Sequence, residues 1–96
     1  MNAFAVTYDL RAKRKPDYKG VFKELKLCTR WWHYLESTWL VMTDETASEL
    51  WERLRPHVHS RDSVLIIEVR DNVSGWLPEK AWAWINRNVP LPDTYV

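Results

Sequence analysis

Asp9 is the residue of this chain whose position best suits chemistry. It ends a short apolar run, residues 4–8, that predicts a first β-strand, and a densely basic stretch follows it at once. A carboxylate at the carboxyl end of a strand, beside a cationic segment, can hold a divalent metal next to a phosphodiester. The alternative is an ordinary turn aspartate, because turns favour Asp for its local hydrogen bonds.

The basic stretch is the second chemical feature, and it is hidden by the net charge of +1. Residues 11–30 hold eight Lys or Arg and two acids, whereas residues 31–96 hold six Lys or Arg and ten acids. A local basic segment can bind a polyanion while the rest of the surface does not. We therefore predict a nucleic-acid-binding set of Arg11, Lys13, Arg14, Lys15, Lys19, Lys23, Lys26 and Arg30. The alternative is the solvated face of a helix.

Composition predicts one small domain spanning residues 1–96. Seven tryptophans are difficult to bury in so small a core, so we expect some at an oligomer interface, the alternative being a bulky core and its rim. The single cysteine, Cys28, excludes an internal disulfide and is predicted to be a small buried hydrophobe. Without an apparent signal peptide or membrane-length apolar run, we expect a cytoplasmic protein with no membrane partner.

Periodicity places these residues on elements. Residues 3–10 predict a strand whose bulky face meets helices and whose small face, which includes Asp9, suits a close partner surface. After a basic loop, residues 18–28 predict a helix capped by Asp17, with an apolar stripe opposite Lys19, Lys23, Lys26 and Arg30. Residues 31–42 are rich in aromatic and β-branched residues and predict two strands divided near Glu36 and Ser37.

The second half of the chain continues the alternation of elements. Thr43 or Thr46 is predicted to cap a second helix, and Thr46 and Glu49 have the spacing of a capping box. The apolar run 64–67 predicts a central strand, and Pro78 can begin a short last helix. The resulting order predicts an α+β fold of ferredoxin-like type: a βαββαβ antiparallel sheet with two helices on one face, plus a short C-terminal helix.

Three segments of this plan resemble a known group of proteins. Residues 6–10 (Val-Thr-Tyr-Asp-Leu), residues 34–40 (Tyr-Leu-Glu-Ser-Thr-Trp-Leu) and residues 62–66 (Asp-Ser-Val-Leu-Ile) resemble the CRISPR-associated adaptation proteins of the second Cas family. The virulence-associated protein D toxins share the plan, and residues 32–39 are similar to small bacterial proteins with a SinR-like label.

The resemblance implies a symmetric homodimer of ferredoxin-like protomers. Members include nucleases that use magnesium or manganese, and their first-strand aspartate pairs with its twin across the dimer axis. Asp9 matches that aspartate and Ser37 matches the motif serine, so the resemblance implies both as catalytic residues and Asp9 as the metal ligand. The chain departs from the group at Trp76, Trp82 and Trp84, where an extra helix would replace an exchanged C-terminal strand.

Three function classes follow. The first is a homodimeric metal-dependent nuclease acting on RNA or DNA. The second is a nucleic-acid- or nucleotide-binding dimer without catalysis. The third is a protein adaptor in a defence, toxin–antitoxin or phage context.

The histidines and the adjacent tryptophans have weaker support as functional sites. His33 is predicted to pack among aromatics, and the spacing of His57 and His59 does not suit a zinc pair, so both are assigned to a loop. Trp31 and Trp32 could stack on bases.

Overall fold

A four-stranded antiparallel sheet organises the chain. The computed structural model describes residues 1–11 and 15–89, with the backbone alone for 15–17. The strands are β1 (Asn2–Asp9), β2 (Arg30–Leu35), β3 (Thr38–Thr43) and β4 (Ser63–Glu68), in the spatial order β2-β3-β1-β4. The helices are α1 (Lys15–Lys26), α2 (Ala47–Leu54), which runs into a 3-10 turn at Arg55–His57, and α3 (Glu79–Asn88). The predicted α+β, ferredoxin-like arrangement is confirmed.

The bulky face of β1 lies against α1 and α2, as the alternation of its residues predicts. Phe4, Val6 and Tyr8 are buried in one core with Trp39 and Val41 of β3. The helices complete this core with four further buried residues, Val21 and Leu25 from α1 and Leu50 and Leu54 from α2. This core holds α1 across the sheet and fixes the direction of its polar side.

Helix α1 differs from the prediction at both ends. It begins at Lys15, so Asp17 lies in the first turn and is not the N-cap. Pro16 permits this start, because the first turn leaves backbone N–H groups unbonded. The helix ends at Lys26, and Cys28 is buried just beyond it, with its N–H donating to the Leu25 carbonyl at 3.1 Å. Arg30 therefore belongs to β2, and its predicted place on the helix face is wrong.

Strand β4 lies at the edge of the sheet, so its predicted central position is wrong. Its apolar run divides between two faces: Val64 and Ile66 pack against the core, whereas Leu65 and Ile67 point to the other side and are 52% and 50% exposed. A continuous apolar run is typical of a strand covered on both faces. Here one of those faces is open.

Helix α3 covers part of the face opposite α1 and α2. Trp32 is buried there with Ala81, Ile85 and Val89, and its indole N–H donates to the Ala81 carbonyl at 3.3 Å. Trp82 packs at the margin of this second cluster with Trp84. The predicted C-terminal helix is confirmed, and it lies over the β2–β3 side of the sheet while Leu65 and Ile67 on β4 stay exposed.

The predicted division of the long β region is confirmed. Glu36 and Ser37 form the turn between β2 and β3, and the pairing of the two strands is irregular between Trp32 and Leu35. The capping box of α2 is confirmed too: the Thr46 hydroxyl accepts from the Glu49 N–H at 3.1 Å, and the Glu49 carboxylate accepts from the Thr46 N–H at 2.9 Å. No helix in the described ranges is long and apolar enough to cross a bilayer.

Candidate nucleic-acid interface

Three lysines form a row on the outer side of α1. Lys19, Lys23 and Lys26 are exposed, while Val21 and Leu25 on the inner side are buried. Intervals of four and three residues place the lysines on one side of a helix, over about 10 Å of its axis. The row borders a shallow groove of about 460 Å³ whose floor includes Phe22 and Leu27. Cationic groups therefore stand around a partly apolar surface.

Among the side chains that the structure describes, the lysine row has no acidic partner: none of its three ammonium groups forms an ion pair with them. Glu24, an acid on the same helix, turns towards α2 instead. Its carboxylate accepts from the Arg53 guanidinium at 3.0 Å and lies 3.8 Å from the His57 ring nitrogen. Glu24 is thus used inside the protein, and no other described side chain offsets the positive charge of the three lysines.

Trp31 lies at the β2 end of the lysine row. The Lys26 ammonium is 5.5 Å from the centroid of its ring, a cation–π contact. On its inner side the indole contacts Trp39, with ring centroids 5.2 Å apart. Trp31 is nevertheless 41% exposed, whereas its neighbour Trp32 is 2% exposed. Of the adjacent pair that the sequence identified, the structure presents one ring to solvent beside the lysines.

The other predicted basic residues do not join this row. Arg30 is on the opposite face of the sheet, where its guanidinium donates to the Asn88 side chain of α3. Arg11 follows β1 and pairs with Asp9. Lys15 opens α1, where only its backbone is described, and Lys13 and Arg14 lie outside the described residues. The segment is therefore divided by the fold, and Lys19, Lys23 and Lys26 are the part brought together.

Asp9 is exposed at the carboxyl end of β1, as predicted. Its side chain is 59% exposed, it lies opposite Ser63 of β4, and its carboxylate accepts from the Arg11 Nε at 2.9 Å. The backbone N–H of Arg11 donates in turn to the Asp62 carboxylate at 2.7 Å. A shallow cavity of about 270 Å³ is lined by both strand ends. Asp9 is thus the acidic member of an exposed ion pair at the rim of the sheet.

Ser37 reaches the same end of the sheet through its backbone. Its carbonyl accepts from the Tyr8 N–H at 3.1 Å and from the Thr7 hydroxyl at 3.3 Å. The β2–β3 turn is therefore tied to the residues immediately before Asp9. Asp9 and Ser37, the two residues that the resemblance implies as catalytic, therefore lie at the same end of the sheet. The described contacts of Ser37 are those of a turn residue.

One chain does not fit a divalent cation at Asp9. The described residues contain no group of three or more His, Cys, Asp or Glu side chains able to hold a metal, and the Asp9 carboxylate is already paired with Arg11. A hard cation such as Mg²⁺ takes several oxygen ligands. Further ligands would have to come from a second copy of the chain or from a phosphate.

His33 packs among aromatic side chains, as the sequence predicts, and His59 lies in a loop. His33 stacks on Trp39 with ring centroids 4.1 Å apart and meets Phe22 edge-on. His57 lies in the 3-10 turn after α2 and contacts α1 near Gly20 and Glu24.

Comparison with protein-family models, with curated proteins and with solved structures finds no match to this chain.

Proposed function

We propose that the chain is a nucleic-acid-binding homodimer that holds the phosphate backbone on the lysine row of α1. The supporting observation is that Lys19, Lys23 and Lys26 stand side by side, exposed and without acidic partners among the described side chains, next to the exposed ring of Trp31. A solvated helix face of ordinary kind intersperses both signs of charge. A row of one sign beside an aromatic ring is typical of a surface that binds a polyanion with bases attached.

The lysines of this surface would position the phosphate backbone and would not recognise individual bases. Each lysine that neutralises a phosphate releases condensed counterions, so the affinity falls steeply as salt is added. Phosphate contacts of this kind fix the orientation of the strand and carry no sequence information. We therefore expect the protein to bind RNA or DNA with little sequence preference.

The dimer part of the proposal rests on the uncovered part of the sheet. Leu65 and Ile67 of β4 are half exposed beside Ala5 and Thr7 of β1, on the face that α3 covers elsewhere. Exposed apolar side chains that adjoin in a contiguous patch are typical of interaction surfaces. A two-fold axis through such a strip lets the same surface serve both protomers. The two lysine rows lie on helices of the opposite face, so this association leaves them accessible.

Charge reversal tests the binding proposal. Lys19→Glu, Lys23→Glu and Lys26→Glu together should reduce affinity for a labelled oligonucleotide at least tenfold and lower the salt slope by about three. The matched control is Arg61→Glu, Lys80→Glu and Arg87→Glu, which reverses three exposed charges on residues outside α1. Equal losses in the two triple variants would show that only the total charge matters. Binding without a salt slope would favour the protein-adaptor class.

A metal-dependent nuclease centred on Asp9 is the second candidate. It is favoured by the position of Asp9, which is exposed at the rim of the uncovered strip and shares its face with Thr7 and Leu65. A two-fold axis passing near the end of β1 would bring the two Asp9 carboxylates together. Like charges so close repel, and a bound Mg²⁺ or Mn²⁺ would relieve that repulsion. Arg11 would have to release Asp9 first.

The nuclease candidate is tested by cleavage of labelled RNA and DNA with and without Mg²⁺ or Mn²⁺. Asp9→Asn should abolish metal-dependent cleavage while the dimer stays folded, because Asp9 is exposed and its ion pair with Arg11 contributes little to stability. Asp71→Asn is the control, an exposed aspartate in the bend after β4. Cleavage that survives Asp9→Asn would exclude this mechanism and leave the binding proposal intact.

A further inference from the structure

Trp31 and Trp32 are adjacent in sequence, and the sheet sends them to opposite faces. Trp32 is covered by α3 and its indole N–H is bonded to the Ala81 carbonyl, so its ring is withdrawn from any ligand. Trp31 faces the α1 side, opposite Val41 of β3, and 41% of it is exposed. The exposed part of this large aromatic ring can contact a planar ligand.

The ring of Trp31 is held firmly from behind. It rests on Trp39, a buried residue, and Trp39 in turn stacks with His33 and packs against Phe22. Pairing with β3 fixes the backbone of β2 from Arg30 to Trp32. A ring supported in this way gives up little conformational freedom when something stacks on it.

The lysine row leads to this ring. Lys26 lines the groove with Lys19 and Lys23, and its ammonium group stands over the Trp31 ring. A strand whose phosphates lie along the lysines would therefore carry a base to Trp31. Lys26 has a flexible side chain, so its ammonium can exchange the ring for a phosphate oxygen when a base occupies the ring face.

We propose that Trp31 is a base-stacking platform and that the ligand class is single-stranded nucleic acid. This inference rests on the proposed function and specifies its substrate. Lysine–phosphate contacts form with duplexes and single strands alike. Stacking on a side chain needs an unpaired base, because the bases of a duplex are stacked on one another. Stacking on the Trp31 ring would therefore make the protein prefer single-stranded nucleic acid to a duplex.

The experiment compares a labelled single-stranded 12-mer with a duplex of the same length, by fluorescence anisotropy at several salt concentrations that are matched between the two ligands. Trp31→Leu keeps an apolar side chain on Trp39 and removes the platform. It should weaken single-strand binding by about 5- to 150-fold, leave duplex binding unchanged and leave the salt slope unchanged. Trp31→Phe should recover most of the affinity. Trp76→Ala, which removes a 98% exposed tryptophan outside the lysine row, should change nothing.

Two results would overturn the inference. Unchanged single-strand affinity in Trp31→Leu is one, and equal losses for duplex and single strand in Trp31→Leu is the other. If the lysine reversals weaken binding in the same assay, the proposed function survives and only the role of Trp31 falls. If the wild-type protein binds neither ligand, both proposals fall together. Circular dichroism of Trp31→Leu and Trp31→Phe confirms that each variant is folded.

Discussion

The indole N–H of Trp39 donates a hydrogen bond to the hydroxyl of Tyr8 over 3.0 Å, and both side chains are buried. The Tyr8 hydroxyl in turn donates to the Glu36 carbonyl at 3.2 Å. This relay joins β3, β1 and the β2–β3 turn at the end of the sheet that carries Asp9. Burial raises the pKa of Tyr8 above its usual value, partly offset by the bond from Trp39. The phenol therefore stays neutral and serves as both acceptor and donor.

Tyr8→Phe should destabilise the protein by about 1–3 kcal/mol, because it leaves the buried N–H of Trp39 without its acceptor. Urea denaturation of both proteins measures the difference. The control is Tyr34→Phe, whose ring is exposed and whose hydroxyl makes no hydrogen bond to the described residues. A Tyr8→Phe variant as stable as Tyr34→Phe would show that the relay contributes nothing.

Gly20→Ala should be destabilising, although alanine normally stabilises a helix interior by up to about 1 kcal/mol over glycine. A Cβ on Gly20 would overlap the Nδ1 of His57, so the methyl group and the ring could not both stay in place. The ring would have to leave its position beside Glu24.

The effect should reverse in sign when His57 is removed. In a His57→Ala background, Gly20→Ala should stabilise, so a four-protein thermal denaturation cycle gives a large coupling between the two sites. Additive effects would mean that the close approach of His57 to Gly20 costs nothing to relieve.

Glu45→Gln should destabilise the protein by about 1–3 kcal/mol at neutral pH. The Glu45 carboxylate accepts two hydrogen bonds from Arg53, each of 2.8 Å, and those bonds hold its pKa below the ordinary value. A carboxylate with a lowered folded pKa stabilises above the unfolded pKa, here about 4.5. That stabilisation is lost as the pH falls through the folded value.

The difference in unfolding free energy between wild type and Glu45→Gln should therefore shrink in acid. Denaturation at pH 7, 5 and 3 measures it. Glu52→Gln is the control, because its ion pair with Arg55 is exposed and 3.5 Å long, so it should cost little at any of these pH values. A difference that stays constant down to pH 3 would assign the effect of Glu45 to packing rather than charge.

Leu65→Asp with Ile67→Asp should convert a dimer to a monomer without unfolding it. Both side chains are half exposed in the single chain, so their replacement removes little core contact, whereas two carboxylates per protomer would repel across a two-fold interface. Light scattering at micromolar concentration measures the mass. Leu27→Asp, at an exposed leucine just after α1, should leave the dimer intact. A monomeric wild-type protein would contradict the homodimer proposal.

The sequence by itself determined the elements and their order. Thr46 and Glu49 predict the start of α2, because a capping box is made by residues three apart and needs no distant partner. The length and composition of 31–42 required two strands, and the turn lies at Glu36 and Ser37 as expected. The alternation along β1 identified which of its faces would be buried under helices. All of these are local signals, so one stretch of chain contains them.

Only the tertiary structure decided what covers each face. Alternation says that Trp31 and Trp32 point in opposite directions, yet the docking of α3 is what buries Trp32 and leaves Trp31 beside the lysines. The same docking takes Arg30 to Asn88, away from the basic helix. It covers Trp32 and leaves Leu65 open on β4. Such outcomes depend on contacts between residues some fifty positions apart, for which a local pattern carries no signal.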